Sequence, residues 1–166
     1  EEMLSGGDFA RWPAAGWSLE RDSETKAEVS VEKVGPDGAN ALRLTVAKIG
    51  KVPWNPQLTC TGFGVKKGMP YTLSFVVRSN ESSSISFGVK QAHAPWGDLG
   101  LSVRVETGPQ WRTVRRTFVA KDDDDRARVS ITNFSPGVYE LAQVSLRPGG
   151  IVGLQKDQRL EDDSVA

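Results

Sequence analysis

The sequence is poor in the residues that most enzymes use for nucleophilic or metal-assisted chemistry. It contains one cysteine, Cys60, and one histidine, His93, in 166 residues. One cysteine cannot form a disulfide within the chain, and a Cys–His or Ser–His–Asp site would have to use His93, near which no nucleophile motif lies. The same shortage argues against a zinc site, and glycine motifs for phosphate or dinucleotide binding are absent. The sequence therefore predicts no catalytic residues.

An excess of either charge and a long apolar run are also missing. Lys plus Arg and Asp plus Glu number 21 each, so the formal net charge is zero. A nucleic acid backbone requires a basic excess on at least one face, so this balance argues against a nucleic acid partner and suits a neutral one. No apolar run approaches the roughly 20 residues that span a bilayer, so we expect no membrane partner. The first residues lack the basic start and apolar stretch of a signal peptide.

The sequence does contain a repeated alternation of apolar and polar residues, which is typical of strands with one buried face. Tyr71, Leu73, Phe75 and Val77 fall on one face of an extended segment, as in a half-buried strand. The predicted strands are residues 26–34, 41–46, 57–63, 71–77, 84–89, 99–106, 111–120, 128–132 and 137–147. Turns rich in Gly, Pro and Asn separate them. Short strands at regular spacing without a helical period predict an all-β sandwich.

The character of the chain changes after Arg147. Pro148, Gly149 and Gly150 break the last predicted strand, and residues 155–163 are polar and rich in charge. We expect one domain over residues 1–147 and a linker or the start of a further domain over residues 148–166. The acidic run 122–125 is predicted to be a solvated turn between two strands, with a cation site or a gate to a binding groove as the alternatives.

Tryptophan is the most informative residue type, with five copies. Trp54 and Trp96 lie in loops that contain Pro. Pyranose rings stack on indole through their C–H faces, whereas sugar hydroxyls need amide, carboxylate or guanidinium partners. Gln57 follows Trp54 on the outward face of a predicted strand, and Arg128 and Thr132 share the outward face of another. We identify Trp54, Gln57, Trp96, Arg128 and Thr132 as candidate carbohydrate-binding residues.

Four of these residues also have a structural interpretation. Trp54 and Trp96 could pack within their own loops. Gln57 could be a solvated strand residue, and Arg128 could pair with the acidic run. Two further tryptophans, at the starts of predicted strands, are expected to be structural: Trp17 and Trp111.

Seven segments resemble, in the right order, the motifs of carbohydrate-binding module families 4, 9, 16 and 22. Residues 4–9 resemble the opening N-G-D-F-E strand, and residues 53–58 resemble the P-W-x-x-Q-L ligand strand. The other matching segments are 16–19, 39–46, 68–75, Trp111 and 144–146. The resemblance covers residues 4–147. It implies a jelly-roll β-sandwich of two antiparallel sheets that is not itself an enzyme.

The resemblance also implies a function and a setting. Such modules are appended to xylanases, cellulases and other glucanases, and they bind internal stretches of β-glucan or xylan chains in an open cleft. We therefore expect a secreted, monomeric module that tethers a glycoside hydrolase to its polysaccharide. Trp54, Gln57 and Trp96 match the family's groove positions, and Arg128 and Thr132 match more loosely.

A structural calcium ion is common in these families, but its two usual carboxylate ligands are missing here. Ala10 follows the opening Phe9, and Leu141, Ala142 and Gln143 stand where a run containing Asp is expected. A hard cation needs several oxygen ligands with charge among them. We therefore expect no cofactor.

Two other functions remain open from the sequence. The first is a structural jelly roll that packs against a catalytic domain without a sugar site, which would bury Trp54 and Trp96. The second is a small glycosidase or esterase on the same fold. It would need a carboxylate pair or an activated nucleophile, which no spacing in this sequence supports.

Overall fold

Ten β-strands and one short 3-10 turn, Pro36–Gly38, make up the fold. The computed structural model describes residues 1–150. The strands are β1 (Trp17–Glu20), β2 (Lys26–Glu32), β3 (Ala41–Lys48), β4 (Gln57–Val65), β5 (Pro70–Ser79), β6 (Ser83–Gln91), β7 (Asp98–Thr107), β8 (Arg112–Val119), β9 (Asp124–Thr132) and β10 (Gly137–Pro148). The all-β prediction is confirmed. No helix within residues 1–150 is long and apolar enough to cross a membrane.

The strands form two five-stranded antiparallel sheets. The front sheet has the order β1-β4-β9-β6-β7, and the back sheet has the order β2-β3-β10-β5-β8. Most neighbours within a sheet are distant in sequence, because the chain crosses repeatedly from one sheet to the other. This is the predicted jelly-roll sandwich.

Every second residue along the strands points between the two sheets, and these residues form the core. In β5 of the back sheet, Leu73, Phe75 and Val77 are buried, as the period of two predicts. Phe75 meets Phe87 of β6 edge to face, with ring centroids 5.0 Å apart, so the two sheets interdigitate. The alternate residues of the front sheet therefore form its outer face.

Trp17 anchors the segment that precedes β1. Its indole Nε1 donates a hydrogen bond of 2.9 Å to the carbonyl of Ser5, and its buried ring meets Phe9 edge-on at 5.0 Å. A Cβ at Gly6 would lie 2.9 Å from the Cβ of Ala14, so this close approach requires glycine. The prediction that Trp17 is structural is confirmed.

Trp111 is structural as well, and it lies beside an ion-pair group on the back sheet. Glu140, whose side chain is 9% exposed, accepts hydrogen bonds from the Nε atoms of Arg43 and Arg78 at 2.8 and 2.6 Å. The Arg78 guanidinium also lies over the Trp111 ring, 4.6 Å from its centroid. The ring is half-buried and packs against Val76.

The acidic run 122–125 is only partly a turn. β9 begins at Asp124, four residues before the predicted strand start at Arg128. The side chain of Asp124 is only 5% exposed, because it accepts hydrogen bonds from side chains on β6 and in the loop that follows. The expectation of a solvated turn is therefore wrong for Asp124.

The last strand runs slightly past the predicted domain boundary. β10 includes Pro148, and the Gly149 N–H donates to the carbonyl of Pro70 at 2.8 Å. The expected linker over residues 148–166 lies mostly outside the described residues, so that boundary stays a prediction.

Candidate functional site

The outer face of the front sheet has a line of small residues across all five strands. Strand register places Ser18 beside Thr59, Thr59 beside Ser130, Ser130 beside Gly88, and Gly88 beside Ser102. We refer to these five residues as the central row. Their side chains are no larger than threonine, so the row is a low strip with hydroxyl groups on most strands. Longer side chains border it on both sides.

Gln57 and Arg128 lie on opposite sides of the central row and are joined across it at Ser130. The Gln57 Oε1 atom accepts hydrogen bonds from Ser130 Oγ at 2.6 Å and from Arg128 Nη1 at 3.2 Å. Gln57 is 5% exposed, so its interpretation as a solvated strand residue is wrong. Arg128 does not pair with the acidic run, so that alternative is wrong as well. The amide instead fixes one edge of the guanidinium.

Trp96 lies over the same guanidinium. The Arg128 Cζ atom is 5.1 Å from the centroid of the Trp96 ring, a distance typical of a cation–π contact. Trp96 nevertheless remains 54% exposed. One part of the indole is thus held against the protein while a large apolar surface faces solvent. This is not the burial that a loop-packing role requires.

The loop that carries Trp96 is fixed at its base by Asp124, which sequence reasoning missed. The Asp124 Oδ2 atom accepts hydrogen bonds from Gln91 Nε2 at 3.1 Å and His93 Nε2 at 2.8 Å. The Gly97 N–H donates to Gln91 Oε1 at 2.9 Å, which closes the loop. The only hint in the sequence was an isolated histidine three residues before Trp96.

Asp124 is held in its ionised form by these contacts. Burial raises the pKa of Asp124, but hydrogen bonds from the Arg126 N–H, His93 and Gln91 outweigh that effect, and the pKa lies below its ordinary value of 3.8. The hydrogen bonds favour the carboxylate because it only accepts. Asp124 therefore stabilises the Trp96 loop wherever it is ionised.

We expect Asp124→Asn to lower the melting temperature (Tm) by a few degrees at neutral pH, since each lost hydrogen bond costs about 0.5–1.5 kcal/mol. A lowered folded-state pKa means that the contribution is complete above the unfolded pKa near 4 and is lost as pH falls through the folded value. The Tm difference between wild type and variant should be present at pH 5 and shrink below about pH 4. A constant difference down to pH 2 would contradict this role.

Trp54 lies on the other side of the central row from Trp96. It precedes β4, whose first residues pair with the end of β9, whereas the Trp96 loop follows Gln91, which pairs with Ala127 near the start of β9. Trp54 is 50% exposed. No hydrogen bond or ring contact within residues 1–150 joins it to the other candidates. The following residue, Asn55, is buried, which fixes the backbone beside the ring.

Thr132 belongs to the Trp54 side of the face. It is half-buried and pairs with Ser86 of β6, while Ser86 also pairs with Arg104 of β7. The five candidate residues thus lie on one face of one sheet. Gln57, Arg128 and Trp96 are in direct contact there, whereas no hydrogen bond or ring contact within residues 1–150 joins Trp54 or Thr132 to them.

Neither a reactive cysteine nor a carboxylate cluster lies in the described part of the chain. Burial raises the pKa of the Cys60 thiol to about 12, with a hydrogen bond to the Ser5 carbonyl as a smaller opposing effect. Such a thiol is not a nucleophile at neutral pH. Residues 1–150 contain no group of three Asp, Glu, His or Cys side chains placed to hold a metal ion. Ala10 and Ala142 stand where the resemblance expects the two calcium carboxylates, so those usual ligands are missing.

Protein hydrogen bonds fasten the N-terminal segment to β10 instead. The Glu2 carboxylate accepts from the N–H groups of Leu4 and Leu146 and from Ser145 Oγ, at 3.1, 2.9 and 2.6 Å. The Val144 N–H donates to the Gly7 carbonyl at 3.0 Å. These contacts need no metal.

We expect excess EDTA to leave the Tm unchanged within about 2 °C, because no bound ion contributes to folding. Differential scanning fluorimetry with and without EDTA, and with added calcium, is the measurement. A fall of more than about 4 °C, restored by calcium, would mean that a site worth roughly 1–2 kcal/mol exists.

Carbohydrate-binding domains are among the known proteins that this chain resembles. A family model described as a carbohydrate binding domain matches residues 1–134. A solved family 4 carbohydrate-binding module is 21% identical, with a TM-score of 0.72 over 88% of this chain and 99% of that one. A family 22 xylan-binding domain from Paenibacillus barcinonensis is 13% identical, with a TM-score of 0.62 over 89% and 94%.

A third similar structure is a family 11 carbohydrate-binding module from Clostridium thermocellum in complex with a β-1,3-1,4-mixed-linked tetrasaccharide. It is 11% identical, with a TM-score of 0.57 over 88% of this chain and 95% of that one. At these identities the likeness to solved structures shows the fold alone. No curated protein matches the sequence.

Proposed function

Because the chain belongs to the carbohydrate-binding domain family, we propose that it binds β-glucan or xylan chains along the central row of the front sheet, without catalysis. The observation that carries this proposal is the exposed ring of Trp96, fixed by Arg128 beside a strip of hydroxyl groups. A large indole left in solvent costs free energy unless a ligand covers it. The position of this ring therefore favours a flat, partly apolar ligand.

Each part of this face supports the recognition of a different part of a sugar. The rings of Trp54 and Trp96 offer flat apolar surfaces to the C–H faces of pyranose rings. The hydroxyls of Ser18 and Ser102, the two exposed ends of the central row, can both donate and accept, which suits sugar hydroxyl groups. Binding of this kind needs no acid, base or nucleophile.

We further propose that the module is secreted and acts as a monomer that tethers a glycoside hydrolase to its polysaccharide. A tether raises the effective concentration of the enzyme at the polymer without any new contact to the scissile bond. The similarity to a xylan-binding domain and to a module in complex with a mixed-linked tetrasaccharide supports xylan and β-glucan as the two classes of ligand.

Affinity electrophoresis tests the proposal directly. Xylan, mixed-linkage β-glucan and laminarin are cast into native gels, pull-down on cellulose covers the insoluble polymer, and bovine serum albumin serves as the non-binding reference. We expect retardation by at least one soluble β-glycan. Retardation by none, with folded protein, would contradict the proposal and leave the structural jelly roll as the remaining function.

A further inference from the structure

Two cations lie side by side on the proposed binding face. Lys90 of β6 pairs in register with Arg128 of β9, and both follow the outward alternation of the front sheet. The Lys90 side chain extends along β6 toward the central row, because its Cε atom is 3.3 Å from the position that a Cβ would take at Gly88. The two positive side chains therefore lie next to each other on one side of the central row.

Neither cation has an acidic partner at ion-pair distance within residues 1–150. Asp98, which pairs in register with Lys90, instead forms an ion pair with Lys121 at 3.4 Å. The Asp124 carboxylate instead accepts a hydrogen bond from His93 Nε2 at 2.8 Å. Like charges directly opposite each other on a sheet destabilise it. On the back sheet, by contrast, Arg43 and Arg78 share the Glu140 carboxylate, which lies between them.

Arg128 is also short of hydrogen-bond acceptors. Its guanidinium has five N–H donors, and the only hydrogen bond it makes among the described residues is the one to Gln57. Its Nε is buried without a partner. Burial lowers the pKa of Arg128, although the charge of Glu20 opposes that effect. A desolvated cation with unused donors gains most from an anionic ligand.

We propose that the site takes glycans that bear carboxylate groups, with a carboxylate of an acidic sugar bound between Lys90 and Arg128 beside the ring of Trp96. This inference rests on the proposed function and names the chemical class of its ligand. The guanidinium lies over one part of the Trp96 ring, 5.1 Å from its centroid, so a sugar would stack on the exposed part of the indole and extend its carboxylate past the ring toward Arg128. A planar guanidinium fork matches a carboxylate, and the flexible ammonium adds a second charge.

The test uses two matched pairs of ligands in isothermal titration calorimetry at low salt. One pair is mixed-linkage β-glucan before and after oxidation of its primary hydroxyls to carboxylates. The other is a xylo-oligosaccharide with and without one glucuronic acid branch. We expect the carboxylated member of at least one pair to bind about tenfold more tightly, with an advantage that shrinks as salt rises.

Lys90→Gln should remove most of this advantage, reducing affinity for the carboxylated ligand by at least fivefold and for the neutral ligand by less than twofold. Its Tm should equal or exceed that of wild type, since the substitution relieves repulsion with Arg128. Lys33→Gln makes the same charge change on an exposed residue after β2 and is the matched control. It should change neither the affinity for either ligand nor the Tm.

The outcomes separate this inference from the proposed function. Equal binding of neutral and carboxylated ligands, or an equal effect of Lys90→Gln on both, overturns the inference while the glycan-binding function stands. Tighter binding of a sulfated β-glucan than of the carboxylated one also overturns the assignment to carboxylates. Failure to bind any of these ligands overturns the proposed function itself.

Discussion

Trp96→Ala is expected to weaken binding to the best-retained polysaccharide by about tenfold or more and to change the Tm by less than about 3 °C. Stacking on an aromatic platform contributes roughly 1–3 kcal/mol for other flat ligands, and about 1.4 kcal/mol is a factor of ten. The indole is more than half exposed, so little packing is lost. Trp54→Ala should behave in the same way, since that ring is equally exposed.

Both variants need melting curves and binding isotherms recorded on the same preparations. Val119→Ala is the control, because it removes an exposed apolar side chain from β8 on the opposite sheet and should leave binding unchanged. Gln57→Ala is unsuitable as a binding probe, since it would leave Ser130 and Arg128 without their shared acceptor. If Trp54→Ala and Trp96→Ala melt early yet bind normally when folded, both rings are structural and the ligand binds elsewhere.

Trp17→Ala is expected to cause a large loss of stability. Removing a buried tryptophan typically costs about 3–5 kcal/mol, which for a domain of this size lowers the Tm by roughly 6–20 °C. The loss includes the edge contact with Phe9 and the hydrogen bond to the Ser5 carbonyl, which together hold the segment before β1. Thermal unfolding followed by circular dichroism is the measurement.

Trp17→Phe separates the two contributions of this side chain. Phenylalanine keeps most of the buried apolar surface but has no N–H donor, so its Tm should lie between those of wild type and Trp17→Ala. Glycan affinity measured well below the Tm should be unchanged in both variants. A Trp17→Ala protein that melts within 2 °C of wild type would show that the N-terminal segment contributes little to the fold.

The strands were predictable because their signal is local. Alternation such as that of Leu73, Phe75 and Val77 depends only on neighbours along the chain, and nine of the ten strands were delimited this way. The predicted β9 was too short because Asp124 and Asp125 have low strand propensity, whereas pairing with Val65 and side-chain hydrogen bonds hold Asp124 in the strand.

The candidate site was predictable in its residue types but not in its connections. Loop position and adjacent prolines pointed to Trp54 and Trp96, and both are exposed. The link from Gln57 to Arg128 joins residues 71 positions apart, and it depends on the pairing of β4 with β9. The proximity of Lys90 to Arg128 likewise depends on the pairing of β6 with β9. No local pattern in the sequence encodes either register.

Because the central row crosses the strands of the sheet, the strand spacing determines the length of the proposed site. The row crosses five strands at right angles to their direction, and neighbouring strands lie about 4.8 Å apart, so its length is roughly 19 Å. That spacing is comparable with the length of one β-linked pyranose unit. A glycan that follows the row would therefore place successive sugars over successive strands, and the backbone pairing of the sheet would determine which side chains each sugar meets.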